Sequence, residues 1–293
     1  MTLDIHCAVQ GADILGEVPL WCDRTQRLWW VDVRRPALQS YDPATCAHRA
    51  IRLPDGLLTG SIALREAGGF LLATQRGFFV YDPETGEPPR FINHPEADLP
   101  HNRLNDGKCD RRGRFWVGSM RDAQREPDGT LYRFDPDYQA TPMATGIVVP
   151  NSVAWSPDDK TMYFADTHIQ IIWAYDFDID EGRITNRRVF KDWTHQVGRP
   201  DGSTVDADGY LWTAMVASGE LVRLAPDGSV DRVIRLPVTN PTCPAFGGPD
   251  LGTLFVTSHS QRLTPEQLAT EPAGALLMMD VGVKGIREPR FRG

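Results

Sequence analysis

The sequence predicts an all-β fold, a six-bladed β-propeller with four-stranded antiparallel blades, in a single domain over residues 1–293. Two observations carry that expectation. A pair of phrases recurs six times along the chain, at intervals of roughly 40–50 residues, the period of one propeller blade. The 23 prolines and 26 glycines also break the chain too often for an apolar stripe of period 3.6 to persist, which favours short strands over helices.

The first phrase is a polar turn followed by an apolar strand. In chain order it reads "WCDRTQRLWWVD", "LREAGGFLLAT", "CDRRGRFWVGS", "WSPDDKTMYFAD", "VDADGYLWTAM" and "FGGPDLGTLFVTS". The second is an apolar strand that often ends in Asp-Pro: "LQSYDPATC", "FFVYDPETG", "LYRFDPDY", "IIWAYDFDIDEG", "LVRLAPDG" and "ALLMMDVG". Turns such as Asp208-Gly209 supply the positive φ that a tight hairpin needs. The first phrase therefore forms the two inner strands of a blade. The second forms the third strand, and the segment after it the fourth. One such sheet cannot bury both of its apolar faces, whereas blades packed around an axis bury each face against a neighbour. A β-sandwich with regular turns is the competing arrangement. The sixth copy runs out soon after its third strand, so "DIHCAVQ", near residues 4–10, is expected to close the ring, with "IREPRF" competing for that role.

Composition sets the outer limits. A formal net charge of −8 argues against a nucleic-acid partner, which needs a basic footprint. The opening "MTLDIHCAVQGAD" has no basic segment leading into an apolar one, and no apolar run is long enough to span a bilayer. The five cysteines are odd in number, widely spaced and without a C-x-x-C pair, which predicts reduced thiols in a cytoplasmic protein. No membrane partner is expected, and the protein should be a monomer or a weak homo-oligomer.

The stretch "RLNDGKCDRRGRFWVGSM" begins a strand with Asn105 and Asp106, where apolar residues would bury more cheaply. Counting back about ten positions from each second strand, with a register scatter of about one, reaches Glu17, Ser61, Asn105, Asn151, Asp201 and Cys243. In a propeller these six strand starts surround one mouth of the central channel. Glu17, Asn151 and Asp201 offer hard oxygen donors, which suit Ca²⁺, Mg²⁺ or Mn²⁺, with Zn²⁺ or Fe²⁺ admissible where water completes the shell. For any one of these residues, an Asx-turn to its own backbone is the alternative. No His or Cys joins them at the spacing of a structural zinc site. The loops leaving the second strands return to the same mouth, making Arg34, Arg76, Arg121, Asp122, His168, His259 and Arg262 candidates for a pocket wall. The connections that precede the inner strands add His101, Arg103, His195 and Arg199.

Five stretches, "LGEVPLW", "NRLNDGKCDRRGRFWVGSM", "PNSVAWSPDDKTMYFADT", "RPDGSTVDADGYLWTA" and "FGGPDLGTLFVTS", resemble in order and register the senescence marker protein/gluconolactonase family, which includes regucalcin and bacterial sugar lactonases. The resemblance implies a six-bladed propeller with one divalent metal ion held by Glu17, Asn151 and Asp201. It also implies substrate contacts at Arg103 and Asn105. Regucalcin has an acidic substrate contact just after "G-[ST]-M"; here the sequence reads "GSMRDAQRE", which puts Asp122 one position out of register. His168 is a further substrate-contact candidate. The expected activity is hydrolysis of sugar (aldono-) lactones, pentono- or hexonolactones, to the aldonic acid, with Asp201 as general base. No "G-x-S-x-G" elbow is present to support a covalent serine mechanism. Two other expectations stand beside it: a non-catalytic Ca²⁺-binding or scaffold propeller of the regucalcin type, and a phosphotriesterase-like hydrolase.

Overall fold

The computed structural model describes residues 3–11 and 13–293. Short β-branched and aromatic runs, each cut off by an Asp, Gly or Pro turn, become strands of four to ten residues. Strand β1 (Ile5–Val9) comes first. The next sheet is β2 (Gly16–Cys22), β3 (Arg27–Asp32), β4 (Ala37–Asp42) and β5 (Ala47–Arg52). The following one is β6 (Thr59–Leu64), β7 (Phe70–Thr74), β8 (Gly77–Tyr81) and β9 (Arg90–Asn93). A third is β10 (Asn102–Cys109), β11 (Phe115–Arg121), β12 (Gly129–Phe134) and β13 (Ala140–Ile147). A fourth is β14 (Pro150–Trp155), β15 (Thr161–Asp166), β16 (Ile171–Asp178) and β17 (Arg183–Asp192), and a fifth is β18 (Arg199–Val205), β19 (Leu211–Val216), β20 (Glu220–Leu224) and β21 (Val230–Arg235). The last combines β22 (Pro241–Gly247), β23 (Thr253–Ser258) and β24 (Leu276–Asp280) with β1, which pairs antiparallel with β24.

These six four-stranded antiparallel sheets are a six-bladed β-propeller with almost no helix. The exception is α1 (Pro265–Thr270), inside the loop "SHSQRLTPEQLATEPAG". It is fixed by a capping box, in which Thr264 Oγ1 accepts from Gln267 N–H and Gln267 Oε1 accepts from Thr264 N–H. Among the described residues no helix is long and apolar enough to cross a membrane.

Each sheet grades from a buried first strand to an exposed last one. Every residue of β2 is buried, whereas β5 is exposed along nearly its whole length. The first strand is an edge strand, and that is where proline is tolerated: Pro19, Pro150, Pro200, Pro241 and Pro244 all lie in such strands.

The chain divides into two compact units. One takes the chain up to Leu53 together with Trp193–Arg287, and the other takes Pro54–Asp192 with Glu288–Gly293. In the first unit Trp21, Leu28, Trp30 and Tyr41 pack with Phe255 and Leu276, and Trp212 packs with Phe246, Leu254 and Leu277. Gly202 is required there, because a Cβ at that position would meet Cys243 Cβ at 2.5 Å. In the second unit Phe78 stacks on Phe134 at 3.8 Å, and Phe134 stacks on the fully buried Phe291 at 5.6 Å. The "IREPRF" segment thus contributes its phenylalanine to this core. Phe291 N–H donates to Leu64 O (2.8 Å), Glu66 N–H donates to Phe291 O (2.8 Å), and Lys108 Nζ pairs with Glu288 at 3.0 Å.

A buried carboxylate marks the first unit. Asp13 accepts from Trp30 Nε1 (2.8 Å) and from the Gln39 side-chain amide, whose oxygen meets His48 Nε2 at 2.8 Å. The comparable tryptophan partners Asp110 and Asp206 each also bind an arginine, Arg114 or Arg223. Burial pushes the Asp13 carboxyl from 3.8 up to about 6; the Trp30 and Gln39 hydrogen bonds oppose this, the Asp32 charge adds to it and Arg35 opposes it.

Two outcomes are expected. Phe291→Ala removes a fully buried stacked ring and should destabilise the protein by about 3–5 kcal/mol, read from denaturant unfolding. Because the folded pKa of Asp13 lies above its unfolded value, its contribution to stability is complete below about pH 4 and is lost as the pH rises through about 6. Asp13→Asn should therefore remove a loss on the order of 2–3 kcal/mol between those pH values, seen as a flatter stability–pH curve than that of the wild type.

Candidate functional site

All six strand-start positions lie in the first strands of their sheets: Glu17, Ser61, Asn105, Asn151, Asp201 and Cys243. Every one of those strands carries one extra residue against its partner just there. The pairing slips between Glu17 and Leu20, Thr59 and Ser61, Leu104 and Gly107, Asn151 and Ala154, Pro200 and Ser203, and Pro241 and Pro244. A β-bulge bends the strand and re-aims the side chains beside it. Two bulges are strained: Val18 (φ 50°) directly follows Glu17, and Ser152 (φ 59°) directly follows Asn151. A β-branched residue in that region is a clear outlier, and such strain persists only where the surroundings impose it.

Those surroundings are alike at the two positions. Asp32, at the end of β3, accepts from the N–H groups of Ile14, Leu15, Arg34 and Arg35. Asp166, at the end of β15, accepts from Val148, Val149 and His168. Each aspartate ties the loop before a first strand to the loop after the second, and so sets where Glu17 and Asn151 begin. His168 itself is an exposed residue of that turn.

In the second compact unit four of the candidate residues form one hydrogen-bonded network. Arg103, nearly fully buried, donates from Nε to Asp122 Oδ1 (2.6 Å) and from Nη1 to Asn105 Oδ1 (2.5 Å) and Leu104 O (3.2 Å). Asn105 Nδ2 donates to Pro150 O (2.8 Å) and Asn151 Oδ1 (3.1 Å). Asn151 Nδ2 donates to Thr167 Oγ1 (2.7 Å). The structure thus brings Arg103, Asn105, Asp122 and Asn151 together. Both N–H donors of Asn105 are taken by protein oxygens, so only its own oxygen has a lone pair left to receive a hydroxyl.

Three further residues support this network: Asp106, already marked by its polar place at a strand start, and Glu96 and Thr167, which no sequence signal marked. Asp106 Oδ2 accepts from Val153 N–H (3.3 Å), so the "ND" pair at 105–106 grips residues 150–153 of the next sheet. Burial holds the Asp106 carboxyl above its usual range. Glu96, buried before β10, accepts from Asn102 Nδ2 (3.0 Å), Ser119 Oγ (2.6 Å) and Tyr132 OH (3.1 Å), bracing the hairpin that carries Arg103. Burial, followed by the Glu96 charge, pushes the Tyr132 phenol up to about 12. Thr167 was hidden because its role depends on a partner 16 positions away. The polar "ND" pair is the sequence signal that pointed here.

Other candidates stay outside the network. Arg121 closes its own loop, pairing with Asp128 at 2.5 Å and with Gln124 Oε1 at 3.1 Å. His259 lies in the first unit, its pKa pushed down to about 4 by burial and then by the Arg262 charge, so its ring is neutral near pH 7.

Glu17 and Asp201 belong to the first compact unit and Asn151 to the second, and all three are buried. Each carries a side-chain oxygen of the kind a hard divalent cation takes. Asn151 fits that use: its N–H end is held by Thr167, and its oxygen takes one hydrogen bond, leaving a second lone pair. Among the described residues no group of three or more His, Cys, Asp and Glu side chains could hold a metal ion.

The SMP-30/gluconolactonase/LRE-like family model matches residues 15–260. The chain is 36% identical to a 6-deoxy-6-sulfogluconolactonase of Pseudomonas putida, covering 100% of each chain. It is 32% identical to a pentonolactonase of Haloferax volcanii, covering 95% of this chain and 94% of that one. Among solved structures, regucalcin of Agrobacterium tumefaciens, described as a calcium-binding protein, superposes with a TM-score of 0.94 at 30% identity, covering 99% of this chain and 98% of that one. With the family model matching most of the chain and relatives above 30% identity covering nearly all of it, the chain belongs to the SMP-30/gluconolactonase/LRE-like family.

Proposed function

We propose that this protein is a metal-dependent hydrolase that opens sugar lactones of the pentono- or hexonolactone type to their aldonic acids. The observation that carries the reading is full-length similarity to two sugar lactonases, combined with oxygen donors at three bulged strand starts. Glu17, Asn151 and Asp201 would hold one divalent ion, with Ca²⁺, Zn²⁺, Mn²⁺, Mg²⁺ and Fe²⁺ all compatible with that donor set. When bound, such an ion polarises the lactone carbonyl and stabilises the negative charge that develops on its oxygen.

The remaining work falls to the chain. Asp201 takes the proton from the attacking water through a carboxylate oxygen and returns it to the ring oxygen as the C–O bond breaks, so that water adds to the acyl carbon with no covalent bond to the protein. Arg103 is held at two points, by Asp122 and Asn105, and so meets the sugar hydroxyls without having to reorganise. Asp122 shapes the substrate side by fixing Arg103, and the loop at 121–124, where the regucalcin acidic pattern is lost, selects among lactones. His168 is a rim contact, and the partner is a small-molecule lactone.

Asp201→Ala should lower kcat by about 10²-fold or more, in the range of a lost general base. The decisive assay measures acid release from aldonolactones beside hydrolysis of a phosphotriester, on metal-stripped protein with each ion restored in turn. Lactone turnover that chelator abolishes is the expected result. Phosphotriester turnover alone would move the assignment to that class. Ion binding with neither activity would mark a binding protein of the regucalcin type.

A further inference from the structure

We propose that the orientation of the Asn151 carboxamide, and so the atom it presents to a cation, is dictated by Arg103 through Asn105 and locked by Thr167. Arg103, Asn105 and Thr167 would then be positioning residues for a metal ligand. The inference rests on the reading of Asn151 as that ligand.

A carboxamide has a donor end and an acceptor end of nearly equal shape, so nothing intrinsic decides which way it points. Here the neighbours decide. A guanidinium has no acceptor at all, and Arg103 places Nη1 2.5 Å from the Asn105 side chain. Asn105 must therefore turn its oxygen toward Arg103, which leaves its NH₂ group facing residues 150–151. That group donates to Pro150 O, a fixed acceptor, and at 3.1 Å to the Asn151 side chain. Asn151 must then turn its own oxygen toward Asn105, and its NH₂ group falls on Thr167 Oγ1 at 2.7 Å.

Every hydrogen bond in the series runs the same way, from an obligate donor to a hydroxyl that can accept. Asp122 anchors the donor end through Arg103 Nε, and Asp166 holds the loop on the other side, where Thr167 N–H also donates to Val149 O at 2.9 Å. Reversing Asn151 would set NH₂ against NH₂ at Asn105 and turn a donor toward the cation. Arg103 thus acts on the cation without touching it, a role separate from any contact with substrate.

Titration calorimetry of metal-stripped protein with Mn²⁺ and with Ca²⁺ tests this without turnover. Thr167→Val keeps the shape and removes the acceptor, and should weaken binding by about 10-fold or more, the usual size of an outer-shell effect. Thr167→Ser should restore it. Arg103→Met, acting from the far end, should weaken binding similarly, and the double variant should lose little beyond the larger single loss, because the orientation can be lost only once. Circular dichroism of the metal-free proteins establishes that they are folded, and if Thr167→Val fails to fold, Arg103→Met and Thr167→Ser carry the test. Wild-type affinity in folded Thr167→Val or Arg103→Met overturns the proposal, as do fully additive losses. A wild-type protein that binds neither ion overturns the ligand reading and this inference together, which separates that failure from a failure of the positioning chain alone.

Discussion

The first strand of every sheet is buried and yet has a partner on only one side. Backbone N–H and C=O groups on its other edge still need hydrogen bonds, because leaving them bare in the interior costs as much as breaking a bond. Much else in the molecule answers that constraint. Proline, which has no N–H to satisfy, is used along these edges. Polar side chains gather at their starts: Asn105 bonds Pro150 O, Asp106 bonds Val153 N–H, and Thr242 Oγ1 bonds Gly16 O at 2.6 Å. Asn105 is also the carboxamide proposed to contact the sugar, so in that residue the structural need and the proposed chemistry coincide.

Sharing has a cost that the geometry keeps low. Arg103 and Glu96 are buried charges, and a buried charge without partners would be strongly destabilising. Glu96 has three donors and Arg103 three acceptors, and every partner but Asp122, which directly follows β11, comes from a strand already fixed by sheet pairing. A site held in this way needs little rearrangement when charge develops in a reaction, which is the main advantage a protein has over water as a solvent.

The six repeats were legible in the sequence because each hairpin carries its own turn chemistry and its own apolar alternation within a dozen residues. The strand-start residues were legible for the same reason, since counting from a local landmark finds them. The bulges were not, because an extra residue shows only against its pairing partner. Glu96 and Thr167 were not legible because each acts through residues distant in the chain, and locally they read as an ordinary loop acid and turn hydroxyl; Asp106 stood out as polar, but its partner Val153 in the next sheet did not. The short helix at Pro265–Thr270 did leave a sign, the "TPEQ" capping sequence, inside a segment whose length suggested only a loop. Two segments competed in the sequence for one edge; the structure sets Ile5–Val9 beside Leu276–Asp280 and buries Phe291 in the other compact unit, where an aromatic stack receives it.

The pairing of Ile5–Val9 with Leu276–Asp280 also sets an order of events during synthesis. Of the described strands β1 is the first to leave the ribosome, and its partner is the last of them to be made. At translation rates of about 5–20 residues per second, β1 waits on the order of ten seconds or more as an unpaired edge while five complete sheets emerge. Its sequence suits the wait: His6 and Cys7 face outward, Asp4 pairs with His6, and the strand is short, all features that discourage pairing with another chain. The sheet containing β1 therefore closes after translation has passed β24, and the nascent protein stays incomplete in its first unit until then, whatever the state of the second.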